Sequence, residues 1–344
     1  MKHNLPREKN MTASAIQDIT RKPLAFLPTP LTRLHNLEKY LNGPRILMKR
    51  DDQTGLGFGG NKTRKLEYLL GDALQQGADC IITAGAAQSN HCRQTAAAAA
   101  ACGLECHLAL GGTPPKSRQG NLLLDMLFGA TIHWSGELRK GESIPDIVSD
   151  LQKDNKTPYI IPYGGSNAIG ATGFVAAMYE LENQLAEMSE NVDHIIFASS
   201  SGGTHSGMVV GQALVGAKYQ LIGINIDKDE VFGMDLDEYI IQLAENTARL
   251  LGVDFTLGKA DLELNAEYLG EGYGVVGSLE REAISLTASH EGILLDPVYT
   301  GRAMGGMLEM IRSGRFSKDE TVLFWHTGGS PALFAYAEDI LQKS

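Results

Sequence analysis

The sequence predicts an α/β protein built from open, largely parallel sheets in about two domains. Its length of 344 residues exceeds the roughly 100–200 residues of a typical domain. From residue 46 onward, short apolar runs typical of buried strands alternate with longer stretches typical of helices. Gly77 and Gly103 follow two of these stretches, as expected at helix ends. Such alternation indicates parallel sheets, because a crossover helix joins one parallel strand to the next.

The predicted elements follow one another with few interruptions. Pro28 and Pro30 predict an extended chain at residues 28–30. We expect residues 1–20 to form a loose arm. We expect strands at 46–48, 80–83, 105–110, 131–134, 159–162, 194–198, 221–226 and 322–325. We expect helices at 62–76, 89–103, 120–127, 170–186, 207–216, 235–251, 278–290, 299–311 and 331–341.

The charge of the chain argues against two classes of partner. Its net charge is −11, from 30 basic and 41 acidic side chains. An acidic protein repels nucleic acid and anionic membrane surfaces, so we expect neither as a partner. No segment reaches the roughly 18–20 apolar residues of a membrane span. The first 20 residues lack the apolar core of a signal peptide, so we expect a cytoplasmic protein.

The four cysteines predict neither disulfides nor a metal site. They form no C-x-x-C pair, and four in a chain of this length make no disulfide framework. Cys102 and Cys106 lie four residues apart, and His91 precedes Cys92. A metal site there is the alternative, but we favour buried free thiols and no bound metal.

Four polar or glycine-rich loops, at residues 55–64, 85–93, 199–207 and 326–331, follow predicted strands. In open α/β sheets, ligands bind at the carboxyl ends of strands, where helices begin. A fold that brings these loops together therefore produces one active site.

Lys62 lies at the predicted start of a helix, directly after Gly59, Gly60 and Asn61, and Asn61 is a plausible N-cap. A helix start disfavours a cation, which lowers the pKa of the amine as a Schiff-base lysine requires. One alternative is an exposed lysine in a first turn. Another is a phosphate-binding P-loop, but Asn61 adds one residue to the required spacing between Gly60 and Lys62.

Two other loops predict anion binding. Ser89, Asn90 and His91 open the polyalanine helix with groups that suit a carboxylate or phenolate oxygen, although simple capping is the alternative. The run 199–207, Ser-Ser-Ser-Gly-Gly-Thr-His-Ser-Gly, has the small residues and hydroxyls of a phosphate cup. Its glycine spacing does not match a dinucleotide fold.

In combination, these segments resemble the D-cysteine desulfhydrase and 1-aminocyclopropane-1-carboxylate (ACC) deaminase family over residues 24–337. The matching motifs are Lys-Arg-Asp-Asp at 49–52, Gly-Gly-Asn-Lys-Thr-Arg-Lys-Leu-Glu at 59–67, Gln-Ser-Asn-His-x-Arg-Gln at 88–94, Gly-Tyr-Gly at 272–274 and Asp-Pro-Val-Tyr at 296–299. The resemblance implies a fold-type II enzyme that binds pyridoxal 5′-phosphate (PLP) between two domains, with residues 1–64 and 173–344 in the larger and 65–172 in the smaller.

The resemblance also implies a role for each candidate site residue. Lys62 would form the Schiff base, Asn90 would lie beside the PLP ring oxygen, and Ser89 would bind the substrate carboxylate. The candidate catalytic residues are Lys62, Ser89, Tyr273 and Tyr299. The candidate cofactor-binding residues are Lys62, Asn61, Asn90, Ser201, Gly202, Gly203, Thr204, Thr300 and Thr327, and the substrate-binding candidates are Ser89, Asn90 and His91.

Thr300 and Thr327 indicate the desulfhydrase-like branch, because deaminase-like members have an acid and an apolar residue there. A hydroxyl beside pyridine N1 makes PLP a weaker electron sink than a carboxylate does. The predicted reaction is β-elimination from a small amino acid, foremost D-cysteine, with L-cysteate and ACC as alternative substrates. A non-catalytic PLP-binding protein is the alternative from another class. The family resemblance implies a homodimer.

Overall fold

Two parallel sheets organise the residues that the computed structural model describes, which are 15–138, 140–227, 230–231 and 233–342. The predicted arm at residues 1–20 lies mostly outside them. The strands are β1 (Leu31–Arg33), β2 (Arg45–Arg50), β3 (Cys80–Ala86), β4 (Glu105–Gly111), β5 (Thr131–Trp134), β6 (Pro158–Ile160), β7 (His194–Ser199), β8 (Gln220–Asn225), β9 (Glu230–Val231), β10 (Met234–Asp235), β11 (Glu263–Asn265) and β12 (Thr321–His326).

The helices connect these strands in the alternation that the sequence predicts. They are α1 (His35–Leu41), α2 (Lys62–Gln75), α3 (Asn90–Cys102), α4 (Asn121–Leu127), α5 (Ile144–Lys153), α6 (Ala168–Met188), α7 (Gly203–Val215), α8 (Leu236–Leu250), α9 (Ser278–Glu291), α10 (Thr300–Arg312) and α11 (Ala337–Leu341).

The large sheet has six strands in the order β1-β2-β12-β7-β8-β11. Its strands are parallel except for β1, which pairs antiparallel with β2. The small sheet has four parallel strands in the order β5-β4-β3-β6. The predicted α/β class with parallel sheets is therefore confirmed. The small sheet uses only residues 80–160, and the domain boundaries at 64/65 and 172/173 stay a prediction.

Helices cover both faces of each sheet, so the strands are apolar on both sides. On the large sheet, α1, α9 and α10 pack on one face and α6, α7 and α8 on the other. Along β12, Val322 and Phe324 face the first group, whereas Leu323 and Trp325 face the second. On the small sheet, α2, α3 and α4 pack on one face and α5 on the other.

Three predictions about elements need correction. Asn61 precedes α2 but makes no side-chain capping bond, because its backbone is already helical, with φ −60° and ψ −24°; its amide donates to the hydroxyl of Thr204. The loop predicted to extend to residue 207 ends earlier, since α7 already begins at Gly203. The predicted helix 331–341 is divided into a 3-10 turn, Ser330–Ala335, and α11. The sequence reading also missed α1, α5, β1, β9, β10 and β11.

Candidate active site

The predicted loops meet at one cavity, at the carboxyl ends of strands from both sheets. Lys62 begins α2, Ser89 and Asn90 begin α3, and Thr327 follows β12. The lining residues are Asn61, Lys62, Ser89, Asn90, His91, Tyr163, Gly164, Ala198, Ser199, Ser200, Ser201, Gly202, Thr204, His205, Tyr299 and Thr327. Of the candidate site residues, Gly203, Tyr273 and Thr300 do not line it.

Lys62 holds its amine at the wall of this cavity. Its Nζ donates to the carbonyl oxygen of Gly164 at 3.0 Å and to Ser201 Oγ at 3.5 Å. Burial lowers the pKa of the Lys62 amine to about 8. The sequence argument attributed a lowered pKa to the helix start, whereas removal from water is the main cause. A neutral amine, which can attack a carbonyl, is thus available near neutral pH.

Lys65 lies beside Lys62 and was not among the predicted site residues. It is fully buried one turn further along α2, and its Nζ lies 3.2 Å from the same Gly164 oxygen. Burial, followed by the nearby Lys62 amine, holds its pKa well below the usual range. A methyl group added at Gly203 would lie 2.8 Å from this Nζ, so Lys65 reaches the start of α7.

The predicted phosphate cup is the turn that leads into α7. Gly202 has φ +79°, a left-handed conformation that suits glycine. The Gly203 N–H donates to Ser166 Oγ at 3.2 Å, and Ser166 Oγ donates to Ser201 Oγ at 2.9 Å. The cup thus combines small residues, the positive end of a 13-residue helix and the hydroxyls of Ser201 and Thr204.

Ser89 and Asn90 occupy the first turn of α3. The predicted capping by Ser89 is confirmed, because its hydroxyl accepts from the Cys92 N–H at 3.2 Å. Asn90 Oδ1 accepts from Asn121 Nδ2 at 2.9 Å. Both side chains are almost fully buried and line the cavity, where a carboxylate and an aromatic hydroxyl would find donors.

The contacts of His91 determine its tautomer. The single hydroxyl hydrogen of Thr83 goes to the Ile161 carbonyl, which only accepts. His91 Nε2, 2.8 Å from the Thr83 oxygen, must therefore donate. Burial, followed by the charge of Lys62, holds the pKa of His91 well below its usual range, so the ring is neutral and its Nδ1 carries a lone pair.

Tyr299 lines the cavity, and Tyr273 reaches it only through Tyr299. Their hydroxyl groups are hydrogen-bonded to each other. Burial holds the pKa of both phenols well above the usual range, so both keep their protons at neutral pH. Tyr299 therefore places a protonated hydroxyl at the cavity, hydrogen-bonded to Tyr273.

Thr327 lines the cavity, but the structure places Thr300 outside it. The Thr300 hydroxyl donates to Asp296 Oδ1 at 2.8 Å and accepts from the Asp296 N–H at 2.7 Å. Because its single hydrogen goes to Asp296, the buried Thr300 hydroxyl has no donor left for a ligand. Of the two threonines, only Thr327 is a lining residue, and its carbonyl oxygen accepts from the Asn61 N–H at 3.0 Å.

Tyr163 and His205 are lining residues that sequence reasoning missed. Tyr163 begins the glycine turn that provides the Gly164 carbonyl, and its signal was that turn following strand β6. His205 follows Thr204 in the cup and packs edge-on against Phe197, with ring centroids 4.8 Å apart. Burial lowers the pKa of His205 to about 3, so this histidine is neutral.

The residues present fit PLP. A phosphate dianion needs donors and positive charge, and the cup offers both, with Lys65 buried beside it. Among the residues that the structure describes, no carboxylate forms an ion pair with Lys65. A phosphate in the cup would therefore be its charge partner. Lys62 would carry the aldehyde carbon, Asn90 would contact the ring hydroxyl, and Thr327 would contact the pyridine edge.

The sequence profile described as "Pyridoxal-phosphate dependent enzyme" matches residues 23–328. The chain belongs to this family of PLP-dependent enzymes. PLP is therefore its cofactor, and the P-loop alternative for Lys62 is wrong.

Two named relatives are similar in sequence to this chain over nearly its whole length. A D-cysteine desulfhydrase of Salmonella choleraesuis (strain SC-B67) is 42% identical over 330 residues, 93% of this chain and 98% of the relative. A D-cysteine desulfhydrase of Klebsiella pneumoniae (strain 342) is 41% identical over 331 residues, 94% of this chain and 98% of the relative.

Solved structures confirm the fold. A crystal structure of an ACC deaminase homologue superposes with a TM-score of 0.87 at 36% identity, covering 96% of this chain and 98% of that one. Threonine deaminase isoform 2 of Solanum lycopersicum shares the fold, with a TM-score of 0.66 at 14% identity. Within the described ranges, no helix has the length and hydropathy needed to cross a membrane.

Proposed function

We propose that this enzyme catalyses β-elimination from D-cysteine, which consumes one water and yields pyruvate, hydrogen sulfide and ammonia. The observation that carries the proposal is the placement of the Lys62 amine, with a pKa of about 8, beside a phosphate cup and the donors Ser89 and Tyr299. The relatives named D-cysteine desulfhydrase, at 41–42% identity over nearly the whole chain, support this substrate.

In this proposal, Lys62 both carries the cofactor and moves the proton at the substrate Cα. Bound PLP supplies the electron sink that stabilises negative charge at that carbon. Once a substrate amine has displaced it, about half of the Lys62 amines are neutral at pH 8, and the neutral amine acts as general base. The Gly164 carbonyl and the Ser201 hydroxyl hold the amine at the cavity wall.

Ser89, Asn90 and His91 orient the substrate and the cofactor ring in this proposal. The helix start of α3 and the Ser89 hydroxyl attract the substrate carboxylate. The protonated Tyr299, hydrogen-bonded to Tyr273, donates a proton to the departing sulfur. Thr327 offers a neutral hydroxyl to pyridine N1, which suits the loss of a good leaving group more than the opening of a cyclopropane.

ACC deamination is the second candidate, because a homologue of ACC deaminase shares the fold at 36% identity. The neutral hydroxyl of Thr327 argues against this reaction, since opening the cyclopropane ring needs a stronger electron sink. L-Cysteate, which would lose sulfite, needs a cation for its sulfonate. The amine of Lys65 does not offer this cation, because it is buried beside the cup and does not line the cavity.

A product assay tests the proposal. Purified holoenzyme is incubated with D-cysteine, L-cysteine, L-cysteate and ACC, and pyruvate, 2-oxobutanoate, sulfide and sulfite are measured. Sulfide and pyruvate from D-cysteine at the highest kcat/KM support the proposal. Preferred release of 2-oxobutanoate from ACC or sulfite from L-cysteate contradicts it, and K62A is the blank. Turnover of any substrate excludes a non-catalytic PLP-binding protein.

The proposal includes a cytoplasmic homodimer. The apolar side chains Leu123 and Leu127, 42% and 69% exposed on α4, give one exposed apolar surface that a partner could cover. Light scattering of the holoenzyme measures the oligomeric state, and a monomer would contradict this part.

A further inference from the structure

Asn121, the first residue of α4, lies between a buried arginine and the cavity residue Asn90. Arg93 Nε donates to Asn121 Oδ1 at 2.8 Å. Asn121 Nδ2 donates to the Gln88 carbonyl at 2.8 Å and to Asn90 Oδ1 at 2.9 Å. Asn121 and Arg93 are both fully buried, so water does not compete for these contacts.

The chemistry of the neighbours fixes which way each amide faces. A guanidinium has only donors, so the Asn121 atom facing Arg93 must be its oxygen. The Gln88 carbonyl only accepts, which independently places Asn121 Nδ2 on the other side. That amide group then donates to Asn90, so the Asn90 atom facing it must be the oxygen. Burial lowers the pKa of Arg93 to about 10, and the guanidinium is still charged at neutral pH.

The orientation of Asn90 follows from this chain of contacts. With Oδ1 held by Asn121, its Nδ2 faces the opposite side, towards the segment that contains Thr327. Gly329 leaves room for it, because a methyl group there would lie 2.6 Å from Asn90 Nδ2. Because Asn90 lines the cavity and its oxygen already accepts from Asn121, the group that it can offer a ligand there is its N–H donor.

We propose that Asn121 and Arg93 are positioning residues that hold the Asn90 amide with its N–H towards the PLP ring oxygen. A donor at that oxygen stabilises its ionised form, whereas an amide oxygen would repel it. This inference rests on the proposed contact between Asn90 and the cofactor.

Arg93 also connects Asn90 to the loop before Lys62. Its Nη1 donates to the carbonyl oxygens of Gly57 and Gly59, the latter at 3.0 Å. One guanidinium thus holds both the amide that faces the ring and the loop that leads into α2. The relative placement of Lys62 and Asn90 depends on it.

The test uses three substitutions of Asn121. N121D keeps the size and accepts from Arg93, but its carboxylate cannot donate to Asn90, whose amide should turn over. We expect PLP to bind about tenfold or more weakly. The bound cofactor should also lose ionised ring hydroxyl at fixed pH, seen as a changed visible absorbance. N121S keeps a hydroxyl that can both accept and donate, so it should lose less affinity.

The order of the two variants separates orientation from packing. If Asn121 only filled space, the smaller serine would be worse than the isosteric aspartate, and that order would overturn the proposal. Unchanged affinity and absorbance in folded N121D would overturn it as well. Should N121D not fold, N121L, neutral and of similar size, must show the same tenfold weakening.

Two controls make the result specific. N246D makes the same change at an exposed asparagine on α8 that also accepts from an arginine, Arg249, and should leave cofactor affinity and absorbance unchanged. N90A removes the amide that faces the cofactor. If N90A weakens PLP binding but the Asn121 variants do not, the positioning role fails and the site stands. If none of them has an effect, the contact between Asn90 and the cofactor is itself wrong.

Discussion

Lys62 and Lys65 hold their amino groups against one acceptor, the carbonyl oxygen of Gly164, at 3.0 and 3.2 Å. Two amines this close cannot both be charged without strong repulsion, and the lowered pKa of each reflects burial in the first place. Only Lys62 lines the cavity. We therefore expect the Lys62 amine to react with the cofactor aldehyde and the Lys65 amine to bind the cofactor phosphate.

Because the two amines have different roles, we expect K62A and K65M to affect cofactor binding and turnover differently. K62A should remove the covalent link to PLP and all turnover. K65M should keep the link but bind PLP about tenfold or more weakly, because a hydrogen-bonded charge pair with the phosphate is lost. Borohydride reduction followed by peptide mapping checks the assignment. A label on Lys65 in the wild-type enzyme would reverse the two roles.

The pKa of Lys62 predicts a pH dependence for the cofactor-free protein. Its amine should react with a small acylating reagent half-maximally near pH 8, because below that pH it is protonated and not nucleophilic. Lys153, with 70% of its side chain exposed, is the internal reference and should need a pH above about 10. Peptide mapping measures both rates in one sample, and equal profiles would refute the shift at Lys62.

Thr300 and Thr327 should respond oppositely to the isosteric change to valine. T300V removes two hydrogen bonds with the buried Asp296 and should cost about 1–3 kcal/mol of unfolding free energy. The cofactor absorbance should not change. T327V should alter that absorbance and lower kcat with little effect on stability. Urea unfolding and spectra compare them, and a spectral change in folded T300V alone would reverse this assignment.

The same geometry changes what T300E would do. The sequence argument associated an acid at this position with the deaminase-like branch. The structure places that position against the buried Asp296 carboxyl, so an added charge would be unpaired and destabilising rather than catalytic.

Because of the buried carboxyl of Asp125, we expect the unfolding free energy to fall as the pH rises. Burial raises the pKa of its carboxyl to about 8, so it stays protonated in the folded state. In the unfolded state it ionises near pH 4. Between these two values, the unfolding free energy falls by up to about 1.4 kcal/mol per pH unit. D125N should therefore stabilise the protein, most strongly above pH 8.

Urea unfolding of D125N from pH 5 to pH 9 measures this effect. D150N, at a side chain that is 76% exposed, is the matched control and should follow the wild type. A constant difference between D125N and wild type across the whole range would show that Asp125 does not titrate as predicted.

Breaking the buried ion pair between Asp51 and Arg64 of α2 should cost a large part of the unfolding free energy. Asp51 accepts two bonds from Arg64 at 2.8 Å and one from Trp325 Nε1 at 2.8 Å. D51N leaves the arginine charge only partly compensated and should cost about 3–5 kcal/mol. E309Q breaks an exposed pair with Arg312 and should cost at most about 1 kcal/mol. Equal losses in urea unfolding would contradict the role of burial.

The sequence predicted those parts of the site that consist of local patterns. Lys62 was found because glycines precede it and a helix follows, and the cup because its small residues are consecutive. Helix α5 was missed although Ile144, Ile147 and Leu151 have helical spacing. That signal was present in the sequence and was not used.

The rest could not be predicted because it depends on distant contacts. Arg93 and Asn121 lie 28 residues apart, and no pattern in either segment indicates that one orients the other. Thr300 and Thr327 are equivalent as sequence signals at helix starts. Only the packing of Asp296 against the Thr300 hydroxyl distinguishes them.

Strand β12 lies between β2 and β7 at the centre of the large sheet, although it comes last in sequence among the strands that the structure describes. During synthesis, β2 and β7 therefore leave the ribosome long before the strand that separates them exists. Until then, each presents an unpaired edge that invites wrong pairing. Thr327 directly follows β12, so the cofactor site is completed only after β12 has been made. A nascent chain of this protein cannot complete its cofactor site before residue 327 has been synthesised.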